Sequence, residues 1–151
     1  MSSPALSLAG LTINITEEIR VKASLESTFA ALLEQIGPYN ERPDGVAMPL
    51  TLEPWPGGRW YRDLGNGNGH YWGVVQAIRR PTLLEICGPL FMSQPVSNNV
   101  QYRLSEEKGV TLMQFHHFGF GLQMESFGGV NEGWKHINSR IAARAESAHT
   151  H

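Results

Sequence analysis

The order of amphipathic segments predicts an α+β domain in which strands and helices are segregated: a strand, a short helix, a curved antiparallel meander, and a long last helix. Three observations predict it. Side chains alternate over residues 12–23, apolar residues recur every three to four positions over 25–36 and 130–145, and six short β-like runs lie between those helices. Each run is bounded by turn residues.

The chain has 151 residues, long enough for one domain to bury about two-thirds of the surface an unfolded chain exposes. Its charged fraction is 17% while glycine (16) and proline (9) are abundant, which argues against a disordered chain or a coiled coil. A net charge of -2 offers no general grip on nucleic acid or anionic lipid. No apolar run approaches the roughly 18 residues of a spanning helix, so no membrane insertion is expected. Cys87 has no second cysteine to pair with, and the N-terminal residues lack a basic flank. Both point to a cytoplasmic protein.

Residues 1–10 are small and unpatterned and read as a flexible tail. Ile13, Ile15, Ile19 and Val21 then alternate with polar residues as in a half-buried strand. Ser24 is an N-cap candidate, Ser27 a weaker one, for a helix carrying Leu25, Phe29, Leu32, Leu33 and Ile36, which Gly37-Pro38 stops. Residues 39–45 are polar and irregular, with a Pro43-Asp44-Gly45 turn. Strands are expected over 48–53, 59–64, 70–79, 82–87, 96–105 and 110–118. Gly65 to Gly69 and Glu106 to Gly109 supply hairpin turns; the former lacks the Lys and Ser/Thr of a phosphate loop. The connection 88–95 carries exposed-looking Leu90, Phe91 and Met92. Val130, Trp134, Ile137, Ile141 and Ala145 form one stripe of a final helix, with Glu132, Lys135, Asn138 and Arg144 elsewhere. The single domain is expected over 11–146, with a second flexible tail over 147–151.

A bent sheet wrapped around an amphipathic helix leaves a space between them, which is a ligand cavity unless bulky side chains fill it. Alternation assigns the side chains that face it. Met113, Phe115 and His117 point inward from the last strand, and Asn98, Val100, Tyr102 and Leu104 from the strand before it. Trp60 inward puts Arg62 and Leu64 on the same face, followed by Tyr71, Gly73 and Val75, then Leu84, Ile86 and Gly88. The polar handles are then Arg62, Tyr71, Asn98, Tyr102 and His117. Arg62 could hold a ligand carboxylate, or lie at the sheet edge paired with Glu53 or Asp63. His117 is either a structural histidine bonded to a backbone carbonyl or to Tyr102, or a general acid or base. Trp134, Phe127 and Phe118 to Phe120 read as core or lid packing, with Trp134 also a candidate floor of the cavity. Cys87 is structural. His116 and His117 point to opposite strand faces, so the pair predicts no metal site.

Several short pieces in a fixed order carry a family resemblance. They are Pro56-Gly57-Gly58-Arg59-Trp60 entering a strand, Gly73, Pro81 before Leu84 and Ile86, His117-Phe118-Gly119-Phe120, and Gly133-Trp134 followed by Ile137 and Ile141. Over roughly residues 13–145 the chain resembles the START-like or SRPBCC superfamily, the helix-grip fold, and within it the branch of homologues of the heat-shock protein ATPase activator. It departs from that branch at Gly88, where an aromatic residue commonly ends the fifth strand, and at Trp72, where a smaller or polar residue is usual. The resemblance implies a curved sheet of about seven strands around a long C-terminal helix, enclosing a cavity for hydrophobic or amphipathic small molecules.

The expected function is binding of such a molecule, with Trp60, Arg62, Tyr71, Phe91, Asn98, Tyr102, Phe115, His117 and Trp134 as ligand-binding residues and no cofactor or metal. Two alternatives stand beside it. One is a cyclase or hydrolase-like enzyme using His117 or Tyr102 for proton transfer, for which no catalytic residue is assigned. The other is an interaction module, a homodimer or chaperone partner, using Leu90, Phe91, Met92, Trp72 and Phe118.

Overall fold

A computed structural model describes residues 7–123 and 129–149. A single hydrogen-bonded turn, Ala9–Leu11, leads into β1 (Thr12–Val21), so part of the expected N-terminal tail is structured, while residues 1–6 lie outside the described part. The helix α1 (Leu25–Ile36) follows, its first turn capped by Ser24, whose hydroxyl accepts from the Ser27 N–H at 3.1 Å. Then come β2 (Thr51–Leu52), β3 (Arg59–Gly65), β4 (Asn68–Arg79), β5 (Leu83–Gly88), β6 (Val96–Glu107) and β7 (Val110–Gly121), and α2 (Val130–His149). The strand expected over 48–53 shrinks to two residues. The tail expected over 147–151 is helical through His149; residues 150 and 151 lie outside the described part, as do Phe127 and Gly128.

The strands form one antiparallel sheet in the order β1-β7-β6-β5-β4-β3-β2. The meander places sequence neighbours side by side and β1 returns to pair with β7, from Thr12 opposite Phe120 to Val21 opposite Thr111. Two tight hairpins set the register. Asn66 and Gly67 between β3 and β4, and Lys108 and Gly109 between β6 and β7, all have positive φ, the conformation whose twist matches the flanking strands.

The inner face of β6 and β7 follows the alternation: Asn98, Val100, Tyr102, Leu104, Met113, Phe115 and His117 are all buried. α2 lays Trp134, Ile141 and Ala145 over this face, and Leu32 and Ile36 of α1 join the same core. Leu32, Ile36 and Ile141, all fully buried, each contribute about 1.5–3 kcal/mol relative to exposure. Asn138, assigned by sequence to the polar side of α2, is buried too, because Tyr102 and Glu17 engage its amide.

Trp60, Gly73 and Val75 are buried as the alternation predicts, but the register breaks beside them. Trp60 pairs with Gly73 but Tyr61 pairs with Tyr71, so Trp72 is an extra residue in the ladder. This bulge turns Trp72 inward, to 5% exposure, and leaves Tyr71 48% exposed, the reverse of the expected phase. Arg62 and Leu64, expected on the same face as Trp60, lie in the β3–β4 hairpin, whose register shifts again between Asp63 and Gly65, and both are exposed. Arg62 therefore does not face the interior, and Glu53 pairs with Arg59 instead, at 2.8 Å.

The connection after β5 is the other departure. Leu90 and Met92 are buried and Phe91 is half-buried, since the Leu90 N–H donates to the Trp72 carbonyl at 2.7 Å and draws the segment under the sheet. The apolar surface expected from Leu90, Phe91, Met92 and Trp72 is thus interior, leaving Phe118 exposed on the outer face with Phe120.

Candidate ligand-binding cavity

Between the sheet and the N-terminal half of α2 lies a cavity of about 330 Å³. Trp72 and Phe91 close it on the sheet side, and Val130, Gly133, Trp134 and Ile137 on the helix side. Asn40, Glu41, Arg42, Pro43 and Met48, from the segment between α1 and β2, form the third wall, and Gly129 completes the rim. Its volume falls within the range of small-molecule sites, and its lining is mostly apolar.

Aromatic rings hold the wall in place. Trp72 meets Trp60 edge-on at 5.0 Å and Phe91 at 5.9 Å; Phe91 meets Trp134 at 6.4 Å, and Trp134 meets Phe115 at 4.7 Å. Phe115 in turn lies 5.0 Å from Tyr102. These are edge or tilted arrangements, the geometry that ring quadrupoles favour.

Gly88 gives this wall its close approach. A Cβ built there would lie 2.5 Å from both the Gly73 Cα and the Trp72 carbonyl oxygen. An aromatic side chain at this position would not fit against the bulge that carries Trp72.

His117 orients Trp134. The Trp134 indole N–H donates to Nδ1 of His117 at 2.9 Å, so the proton of the neutral ring sits on Nε2, which donates to Oδ1 of Asn98 at 2.7 Å. Asn98 in turn donates to the Pro89 carbonyl at 3.3 Å, pinning the connection that carries Phe91. Burial, with a smaller contribution from neighbouring His116, lowers the His117 pKa to about 4. Its partners are thus Asn98 and Trp134, not the backbone or Tyr102. Tyr102 belongs to a separate network: its hydroxyl donates to Oδ1 of Asn138 at 2.8 Å, and burial raises its pKa. His116, on the opposite face, bonds Asn14. Among the described residues no three His, Cys, Asp or Glu side chains come together.

At the rim, charges are matched. Glu41 takes His136 Nε2 at 2.9 Å and Arg140 at 3.4 Å, tying the third wall to α2, while Arg42 pairs with Asp44. Two buried side-chain polar atoms, Trp72 Nε1 and Asn40 Oδ1, have no hydrogen-bond partner among the described residues. An unmet buried donor or acceptor costs about 1–3 kcal/mol.

Of the residues expected to bind ligand, Phe91 and Trp134 line the cavity. Trp60, Phe115 and His117 touch its wall from behind, Asn98 and Tyr102 lie in the supporting networks, and Arg62 and Tyr71 sit on the exposed hairpin. The wall from Asn40 to Met48 was missed because a polar, irregular segment has no periodicity to read. One signal was available: Gly133 interrupts a helical stripe where a side chain is expected, and a Cβ there would meet nothing within 4 Å.

A seven-stranded antiparallel sheet gripping a long C-terminal helix is the helix-grip fold. The chain belongs to the family described as Activator of Hsp90 ATPase homolog 1-like protein, whose model matches residues 22–146. Among solved structures, it is similar to a protein from Chromobacterium violaceum, with 14% identity, a TM-score of 0.69, and coverage of 88% of this chain and 96% of that one. CalU16 from Micromonospora echinospora is 20% identical, with a TM-score of 0.60 and coverage of 85% and 71%. The di-domain ARO/CYC protein StfQ of the steffimycin biosynthetic pathway is 9% identical, with a TM-score of 0.62 and coverage of 93% and 53%. At these identities the likeness is one of fold. No curated protein matches the chain.

Proposed function

We propose that the protein binds a small apolar or amphipathic molecule in the cavity between its sheet and the N-terminal half of α2. One observation carries this: a cavity of about 330 Å³ walled by Trp72, Phe91, Val130, Trp134 and Ile137, beside the hydrophobic core that Trp72 and Trp134 also join. Membership of a superfamily whose cavities commonly hold small molecules supports it. Phe91 and Trp134 contact the ligand, and Trp60, Phe115 and His117 hold the contacting rings in place. The unpaired Cys87 is in keeping with a reducing, cytoplasmic setting.

The catalytic alternative draws less support. His117 has both ring nitrogens engaged and a pKa lowered to about 4, Tyr102 is committed to Asn138, and neither lines the cavity. Native mass spectrometry of freshly purified protein, with a thermal-shift screen of apolar compounds, tests the binding reading. A retained small molecule or a stabilising compound is expected; a bare protein that no compound stabilises contradicts it.

A further inference from the structure

The third wall of the cavity differs from the other two in what stands behind it. Trp72 and Trp134 belong to the buried core, whereas residues 42–47 are all exposed, and Arg42 and Pro43 among them line the cavity. This wall is a self-contained hairpin. The Met48 N–H donates to the Asn40 carbonyl at 2.9 Å and Asn40 Nδ2 to the Met48 carbonyl at 3.0 Å. Farther out, the Arg42 N–H donates to the Val46 carbonyl and the Gly45 N–H to the Arg42 carbonyl, both at 2.8 Å. Its feet are fixed, because the N–H groups of Asn40 and Leu50, both buried, donate to the Gly37 carbonyl at 3.2 and 2.9 Å. Beyond those feet, its polar contact with α2 runs through one side chain: Glu41 Oε1 meets His136 Nε2 at 2.9 Å and Arg140 Nε at 3.4 Å.

We infer that the hairpin over residues 41–47 is a flap through which the occupant enters and leaves the cavity, and that Glu41 holds it shut against α2. The inference rests on the small-molecule reading above and adds how access to that site is controlled. A segment whose hydrogen bonds are internal swings without breaking them, so opening here costs the Glu41 contacts and the touch of the flap's inner side chains on the cavity lining. Opening on the helix side would instead break the bond between Trp134 and His117 and pull Ile141 and Ala145 from the core. The flap opens for entry and for exit alike. Loosening Glu41 therefore raises both rates together and leaves affinity nearly unchanged.

The test titrates ¹⁵N-labelled protein with 2-naphthol and takes association and dissociation rate constants from NMR lineshapes. It compares the wild type with Glu41→Ala and with the double variant His136→Ala/Arg140→Ala, which removes the same contacts from the α2 side at two residues that do not line the cavity. In both variants the two rate constants are expected to rise together by about threefold or more, with Kd within about twofold of the wild type. Asp44→Asn, which alters a charge pair within the flap, should leave both rate constants within about twofold. Unchanged rates in the α2 double variant overturn the inference and leave cavity binding standing. So does a rise in dissociation alone with Kd weakened in proportion, which would make Glu41 a ligand contact and not a latch. Failure of 2-naphthol to bind the wild type overturns both readings. Should Glu41→Ala not fold, the α2 double variant decides the matter.

Discussion

The Trp134 indole donates to Nδ1 of His117 at 2.9 Å, and this bond joins the helix to the sheet at the cavity wall. It requires a neutral imidazole, because a protonated ring has no lone pair to accept with. The rotamer of Trp134, and with it one wall of the cavity, is therefore linked to the charge state of a histidine the sequence marks only by its inward phase.

That linkage predicts a pH dependence of stability. The unfolded chain protonates His117 near its ordinary pKa of about 6.5, while the folded chain resists until about 4. The contribution is fully present above pH 6.5 and is lost as pH falls toward 4, at up to about 1.4 kcal/mol per pH unit. Glu53, held by Arg59 to a pKa of about 2, adds a loss in the same direction that begins as pH falls to its ordinary value of 4.5. Urea unfolding at pH 7 and pH 5 reads the histidine term. In His117→Gln the difference between those two pH values should largely vanish.

Trp134→Phe keeps a ring in place but leaves Nδ1 of His117 buried and unpaired. A loss of about 1–3 kcal/mol at pH 7 is expected from urea unfolding, with the slope of the transition unchanged.

Gly88→Ala tests the close approach that positions Trp72. Its Cβ would meet the Gly73 Cα and the Trp72 carbonyl oxygen at 2.5 Å, and the backbone there has φ of +157°. Destabilisation of about 2 kcal/mol or more is expected, with a changed near-ultraviolet dichroism as the tryptophan pair shifts.

The sequence was readable where each side chain's surroundings repeat along the strand. β1, β6, β7 and α1 follow their periodicities, and His117, Asn98, Tyr102 and Phe115 are buried as alternation predicts. One inserted residue, Trp72, reversed the phase at Tyr71, leaving Gly73 and Val75 buried as expected, and put a tryptophan in the wall in place of the tyrosine. Leu90 and Met92 looked exposed because burial of an irregular connection depends on what it folds beneath, here the carbonyl of Trp72. Asn40 and Met48 reach the cavity through contacts no periodicity encodes: they bond each other, and neighbouring Glu41 pairs with His136 and Arg140 of α2.

Arg62→Ala and Tyr71→Ala check that these two side chains lie outside the cavity. Both side chains are exposed on the hairpin, so each substitution should change stability by no more than about 0.5 kcal/mol and leave probe binding intact. Calorimetric titration of a bound aromatic probe supplies the second readout.

Gly133 separates stability from binding. It lies within α2 at the cavity wall with open space around its missing side chain, so Gly133→Ala should stabilise the protein by about 0.5–1 kcal/mol in thermal unfolding.

A larger residue at the same position closes the cavity, and the decisive measurement follows from it. Wild type and Gly133→Trp are incubated with excess 2-naphthol and compared by native mass spectrometry, with circular dichroism confirming that both are folded. A one-to-one adduct on the wild type that is absent from Gly133→Trp is the predicted result. A bare wild type, or the same adduct on both proteins, contradicts binding in this cavity.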